Sequence, residues 1–410
     1  MNWQLILMTG LLSAGVLTGC GGGSSGSSES ATPTFTTKAA LGESLFSDVN
    51  LSLNRTQACS TCHNPDAGFV DNRTGSDGLV RATSLGDDSA SLGDRNAPSA
   101  AYANQTPEFS NGTRTRFNSQ QSDYSGYLGG QFHDGRASTL QDQAAGPLVN
   151  SIEMGMPDKA SVVDRLLENA DYVASFKLLY GDTVFDDTDT AYNALTESIA
   201  AFEDTDTFAP FDSKYDRYIA GDTSIYDPLD KATLGKALFF SQQFTNCATC
   251  HQLKSQGSAK ETFSGYEYHN IGVPVNADVR ADNGSADDYV DTGLQTNNTA
   301  VTADSERGKY KVPSLRNVAV TGPYMHNGVF RDLDTVIRFY DHFLTGSTNS
   351  LNPETGVAWA DPEVSDTIST TELQDGSTLT DDDVDALVCF LRTLTDARYE
   401  SLLPDDGLCD

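Results

Sequence analysis

A chain of 410 residues, 38% hydrophobic and 9% aromatic, is long enough for two ordinary domains, each with its own core. Lysine and arginine number 26 against 58 aspartate and glutamate, and the resulting formal charge of −32 argues against nucleic acid or an anionic lipid surface as partner. No apolar run long enough to span a bilayer follows the first twenty residues, which excludes an integral membrane protein.

The chain starts MNWQLILMTGLLSAGVLTGC, an apolar run closing on Cys20 in the manner of a bacterial lipoprotein signal, whose cysteine is lipidated after cleavage. The run carries no Lys or Arg at its start, and a plain secretory signal is the competing reading. Both readings export the protein, to the periplasm or to an outer membrane that it touches only through the lipid anchor. Residues 1–20 are assigned to this signal and 21–36, which open GGGSSGSSESATPT, to a flexible linker.

Next come two matching lead-ins. KAALGESLFSDVNLS precedes QACSTCHNPD, and KATLGKALFFSQQFT precedes TNCATCHQLK. Leu41, Gly42, Leu45 and Phe46 answer Leu234, Gly235, Leu238 and Phe239, and leucines at i and i+4 before an aromatic predict a short amphipathic helix feeding each cysteine loop. Two such units point to a duplicated module.

Further helices are predicted from Thr139 through Gln143 and beyond, and over 159–181, 189–204, 333–344 and 381–398. The last opens on a run of Asp, which suits a helix N-terminus, and puts Val384, Leu387, Val388 and Leu391 on one face. Strand-like alternation is scarce, and the Gly/Asn/Asp-rich stretch 276–309 reads as a surface loop.

Cys59, Cys62 and His63 form one CxxCH motif and Cys247, Cys250 and His251 a second. The spacing lets both thiols form thioether bonds to one haem while the adjacent imidazole turns onto the iron. A zinc site would have the two cysteine pairs share one ion and leave both histidines idle. Two covalently bound haem c groups are therefore predicted, with His63 and His251 as proximal ligands. The candidates for a sixth ligand are His133, His269, His326 and His342, with Met154, Met156 and Met325; composition does not choose among them. Cys389 and Cys409 remain as an even pair in an exported chain and predict a disulfide closing the C-terminal tail.

Five segments in order carry a family likeness: ACSTCHNPDAGFVD, DRNAPSAAYAN, FHDGRASTLQDQAAGPLVNSIEM, NCATCHQ, and YKVPSLRNVAVTGPYMHNGVFRDLDTVIRFYD. Across nearly all of its mature length the chain resembles the bacterial di-haem cytochrome c peroxidase and MauG superfamily. The resemblance implies that hydrogen peroxide binds at the N-terminal haem, with Gln143 and Glu153 in the distal pocket. There the glutamate takes a proton from the bound oxygen and delivers it to the leaving one. Family members that need reductive activation carry a histidine on the loop after the first motif; here none occurs between His63 and His133, which implies an open N-terminal haem.

For the second haem, the peroxidases place methionine after the PYMHNG motif and MauG-type members tyrosine. The motif position falls on Tyr340, with Met325 and His342 as rivals. A phenolate stabilises higher oxidation states, whereas methionine raises the potential. The family's calcium site falls on Asn96, Thr321 and Pro323, the last two through backbone carbonyls, a donor set that suits calcium. His326 supports the second haem or serves as a structural histidine. His133 stands where many relatives carry a tryptophan between the haems, which puts an indole relay in doubt, and Trp359 lies in an extra segment without an assigned role.

The fold class expected is mainly α, with two cytochrome c-like haem domains related by duplication and long irregular loops: 37–215 binding peroxide and 216–410 transferring electrons. The function expected is peroxide reaction at the first haem and electron supply through the second, in a MauG-like machine. The electrons come from a small redox protein, or from Tyr or Trp side chains of a partner protein that is thereby modified. A plain di-haem electron carrier is the rival of another class, and the Gln143/Glu153 pocket speaks against it. Homodimer formation is left open.

Overall fold

Thr37 accepts the N–H of Ala40 and so starts α1 (Lys38–Phe46), the lead-in helix of the first repeat. In the computed structural model, residues 33–409 are described apart from 118, 225–229, 256 and 287. The expected signal 1–20, Cys20 with it, and the linker as far as residue 32 lie outside the described residues. Phe35, inside the expected linker, is part of the folded body: its N–H donates to Ser175 Oγ at 3.1 Å and its ring lies 5.9 Å from that of Tyr172.

The helices that follow are α2 (Cys59–Cys62), α3 (Leu140–Val149), α4 (Lys159–Leu167), α5 (Ala170–Tyr180), α6 (Thr188–Glu203) and α7 (Lys214–Ile219). Beyond them come α8 (Lys231–Phe239), α9 (Ala277–Asn283), α10 (Leu294–Asn297), α11 (Leu333–Asp341), α12 (Thr370–Leu373) and α13 (Asp381–Arg392). Strands are few among the described residues: β1 (Ser110–Arg114) pairs antiparallel with β2 (Tyr124–Leu128), and β3 (Tyr268–His269) with β4 (Tyr310–Lys311).

Two apolar cores form around two helix pairs packed alike. In the first, α1 lies on α6 and buries Leu41, Leu45 and Phe46 with Leu195 and Phe202. In the second, α8 lies on α13 and buries Leu238 and Phe239 with Leu387 and Phe390. Each pair meets at a glycine. A Cβ on Gly42 would overlap the Ser198 carbonyl and crowd Phe202, and one on Gly235 would overlap the Ala386 carbonyl and crowd Phe390. The likeness is incomplete, since Leu41 is fully buried while Leu234 is 47% exposed.

Two sequence expectations are corrected. The helix predicted over 159–181 is two, because the Asn169 side chain accepts the N–H groups of Asp171 and Tyr172 and starts α5 afresh. The stretch 276–309 is not a surface loop: it carries α9 and α10, Leu294 and Val301 are fully buried, and Asp291 is paired with Arg95 at 2.6 Å. The boundary expected between 215 and 216 falls within α7. Tyr215 packs in the second core, and Asp216 takes two hydrogen bonds from Arg316, at 2.6 and 2.9 Å. Cys389 and Cys409 are joined by a disulfide, their Cα atoms 5.4 Å apart.

Candidate haem and peroxide site

Each CxxCH sits on a short turn that its own backbone closes. His63 N–H donates to Cys59 O at 2.9 Å, and His251 N–H to Cys247 O at 3.0 Å. In both, the imidazole Nδ1 donates to a phenylalanine carbonyl: His63 to Phe69 at 3.2 Å and His251 to Phe263 at 3.1 Å. Those phenylalanines share the left-handed backbone, with φ of 56° and 54°. A carbonyl on Nδ1 fixes the tautomer and leaves Nε2 as the electron-pair donor, the arrangement that a metal-binding histidine needs. The parallel extends to the Pro98 and Pro313 backbones beside the two imidazoles. Four residues after each proline, Tyr102 and Asn317, both at φ 61°, open a 3-10 turn. Burial lowers both imidazoles below their ordinary value, His251 to about 4.

The four motif cysteines take part in no disulfide. Burial, reinforced by the field of Glu203, pushes Cys59 up to about 12, and burial pushes Cys62 and Cys247 up to about 11. Two thiols followed at once by an imidazole that presents Nε2 fit thioether attachment of haem c with the histidine on the iron.

Around the first motif stand two carboxyl groups. Glu153 follows α3, with its carbonyl accepting Asp87 N–H at 2.7 Å; burial raises its carboxyl, partly opposed by Arg136, and its field reaches both Cys59 and Cys62. Gln143 lies half-buried on α3. The second carboxyl, Glu203 at the end of α6, escaped sequence reasoning. It is 5% exposed, Oε2 has no hydrogen-bond partner, and burial pushes it up to about 8. Aligning the late helices α6 and α13 on Phe202 and Phe390 would have found it, because the matching residue in α13 is Leu391.

At the second motif, Tyr340 lies on α11, its phenol raised by burial and then by the fields of Cys250 and Cys247, both of which reach it. Of its rivals, His342 lays its ring 4.0 Å from Phe343 and 5.4 Å from Trp359, and Met325 packs with Phe330 and Phe339. Glu267, fully buried, was also missed. It accepts from Arg114 at 3.1 Å, Arg116 at 2.9 Å and His269 Nε2 at 3.1 Å. Arg114 also reaches Gln252, next to His251, at 2.7 Å. Cys250, Glu267 and His269 could together hold a metal ion by distance, but Cys250 belongs to the haem motif and Glu267 is already shared by two guanidiniums.

A polar node joins the halves. Asn96 donates its N–H to His326 O at 2.8 Å and its side-chain Nδ2 to Ala82 O at 2.9 Å, while its carbonyl accepts His133 Nε2 at 2.9 Å. Lys311 N–H donates to His133 O at 2.8 Å, and Tyr310 stacks on His326 with centroids 3.7 Å apart. Burial holds His133 at about 4 and His326 at about 3, so both are neutral. With Nδ2 tied to Ala82, the Asn96 amide oxygen is its remaining donor to a cation, and Thr321 and buried Pro323 lie three to five residues before His326.

A family model described as di-haem cytochrome c peroxidase matches residues 36–224. The methylamine utilization protein MauG of Paracoccus denitrificans is 46% identical over 382 residues, 93% of this chain and 94% of that protein. The cytochrome c peroxidase Ccp of Escherichia coli is 30% identical over 315 residues, 77% of this chain and 55% of that protein. Among solved structures, the diheme peroxidase BthA from Burkholderia thailandensis superposes with a TM-score of 0.75 at 30% identity, covering 92% of this chain and 90% of that one.

Proposed function

The chain belongs to the di-haem cytochrome c peroxidase and MauG family, an oxidoreductase that acts on peroxide and carries two c-type haems, and from that premise we propose a MauG-like division of labour between its two motifs. The observation that carries the proposal is Tyr340 on α11 within the field of both Cys247 and Cys250, where an iron-bound phenolate would stand in place of a thioether at the second haem.

The haems, when bound, supply the electron-transfer and peroxide-reducing chemistry. Cys59 and Cys62 would hold the first, with His63 presenting Nε2 to it; Cys247, Cys250, His251 and Tyr340 would hold the second. Glu153 moves a proton between the two peroxide oxygens, a role that its buried, raised carboxyl supports, and Gln143 orients the oxidant. The Asn96 amide oxygen and the Thr321 and Pro323 carbonyls would hold a calcium ion, which would tie the halves together. His133 and His326 shape that junction as neutral groups, and His133 in place of an indole makes charge relay there weak.

The two helix pairs with their glycine contacts support a duplication of cytochrome c-like domains, with the division best placed before α7. The electrons come from a protein substrate, whose Tyr or Trp side chains are oxidised; a small redox protein as donor is the second reading, favoured by His133. The N-terminal segment exports the protein to the periplasm with a lipid on Cys20.

The test is one equivalent of peroxide added to the fully ferric protein without reductant. A rapid change in the absorption spectrum is expected, and an unchanged spectrum would overturn both the open first site and the MauG-like cycle.

A further inference from the structure

Trp359 is the one tryptophan left once residues 1–20 are removed, and the function proposed above gives it no role. Its indole N–H donates to Asn349 O at 2.7 Å, which fixes the ring. The ring meets Phe330 at 5.7 Å and Phe339 at 5.4 Å, both edge-on, and lies 5.4 Å from His342 at an interplanar angle of 30°. Phe339 in turn lies 6.3 Å from Tyr340. An unbroken run of ring contacts therefore leads from Tyr340 to Trp359, and tunnelling, which falls steeply across empty space, gains from each contact.

Together with His342 and Phe343, Trp359 lines an open cavity of about 450 Å³, whose wall is completed by Ser347, Asn349 and Asp361. Ligand pockets run from roughly 300 to 1,000 Å³, so this one suits a molecule of one or two rings. Three ring-bearing side chains offer stacking faces; Ser347 and Asn349 are tied to Asp341 and Arg338, and the Asp361 carboxylate can accept a phenol O–H. A net charge of −32 disfavours anionic donors and leaves neutral phenols unopposed.

We propose that this cavity binds a small neutral phenol as reductant and that Trp359 passes its electron along the ring contacts to Tyr340 and the second haem. Each phenol gives up one electron and releases its hydroxyl proton at the open mouth of the cavity, becoming a phenoxyl radical. Two such events reduce one hydrogen peroxide, with two protons, to two waters. The electron route rests on Tyr340 as the second haem's ligand; the binding site does not.

Guaiacol is the probe, used with the mature holo-protein. Equilibrium dialysis is expected to show saturable binding of one guaiacol per chain, weakened at least tenfold by Ala360→Phe, which adds bulk to a residue of the cavity wall that is not one of the ring-bearing side chains. Trp359→Phe is expected to lower guaiacol kcat/KM at least tenfold relative to that variant's own rate of spectral change with peroxide. Saturation supports the site even where Tyr340→Phe leaves the second haem's spectrum unchanged, an outcome that overturns the ligand reading alone. Absence of saturable binding overturns the site whatever that spectrum shows, and guaiacol turnover at the wild-type ratio in Trp359→Phe overturns the electron route.

Discussion

Glu203 and Leu391 stand at matching places in the two helix pairs, each directly after the phenylalanine that abuts the lead-in glycine, Phe202 at Gly42 and Phe390 at Gly235. Leu391 is 8% exposed and Glu203 5%, so one half buries a carboxyl where the other buries a hydrocarbon. Burial raises that carboxyl from an ordinary 4.5 to about 8, with no other cause of comparable weight. Folding therefore takes up a proton at Glu203 between these two values. The stability it allows is complete below pH 4.5 and falls as pH rises through about 8, by about 1.4 kcal/mol per pH unit at most. Thermal unfolding between pH 5.5 and 8.5 is expected to show this decline, and Glu203→Leu is expected to flatten it. Equal slopes in wild type and variant would show that Glu203 is already ionised at neutral pH.

The glycine contacts make a second expectation. A methyl on Gly42 or Gly235 has to displace a helix backbone carbonyl rather than the end of a flexible side chain. Gly42→Ala and Gly235→Ala are each expected to cost about 1–3 kcal/mol, the usual range for overpacking. Urea midpoints read this directly; two unchanged midpoints would mean that the helix pairs slide apart freely.

The lead-in helices and both CxxCH motifs were legible in the sequence because their signals are local: Leu41, Gly42 and Leu45 recur as Leu234, Gly235 and Leu238 within one helix length. What escaped depends on distance. Asp291 reads as part of a polar loop until Arg95, 196 residues away, is seen to pair with it. Glu267 acquires meaning only from Arg114 and Arg116, on the far side of the second cysteine motif from it in the chain. Glu203 looks like an exposed helix end, and only the packing of α6 on α1 buries it. Leu234 shows the converse, an apolar match in the repeat that the second half leaves 47% exposed.

Asn96 is held at three points, by His326, Ala82 and His133, which orients its amide oxygen without occupying it. Protein purified without chelator is expected to contain about one calcium per chain by elemental analysis, and Asn96→Ala to lose it. Treatment with EGTA is then expected to lower the thermal midpoint of wild type and leave that of Asn96→Ala unmoved. A wild-type protein free of calcium at full stability would remove the cation from the account of the junction.

Burial raises the Tyr340 phenol and favours its neutral form, and the charge of a bound iron would oppose that by favouring the phenolate. Tyr340→Phe is therefore expected to change the low-spin absorption and electron paramagnetic resonance signals of one haem and to leave the other as it was. A variant with both sets of signals intact would return the ligand position to His342 or Met325.

Glu153 combines burial with a position whose field reaches both Cys59 and Cys62, and Arg136 only partly offsets its raised pKa. A carboxylate that accepts the peroxide proton works only when ionised, so the rate of the first spectral change with peroxide should fall as pH drops through the Glu153 pKa. Because burial raises that pKa above 4.5, the acid limb belongs above the ordinary carboxylate range. Glu153→Gln keeps the size and one hydrogen-bond acceptor but cannot carry the proton. The expected loss is roughly 10²- to 10⁴-fold in rate, with the acid limb gone. Stopped-flow absorption across pH 4.5–8 separates the outcomes: a slow variant that keeps the limb would move the proton transfer to another group. Glu203 is then the next to test, since it is the other buried carboxyl whose field reaches Cys59.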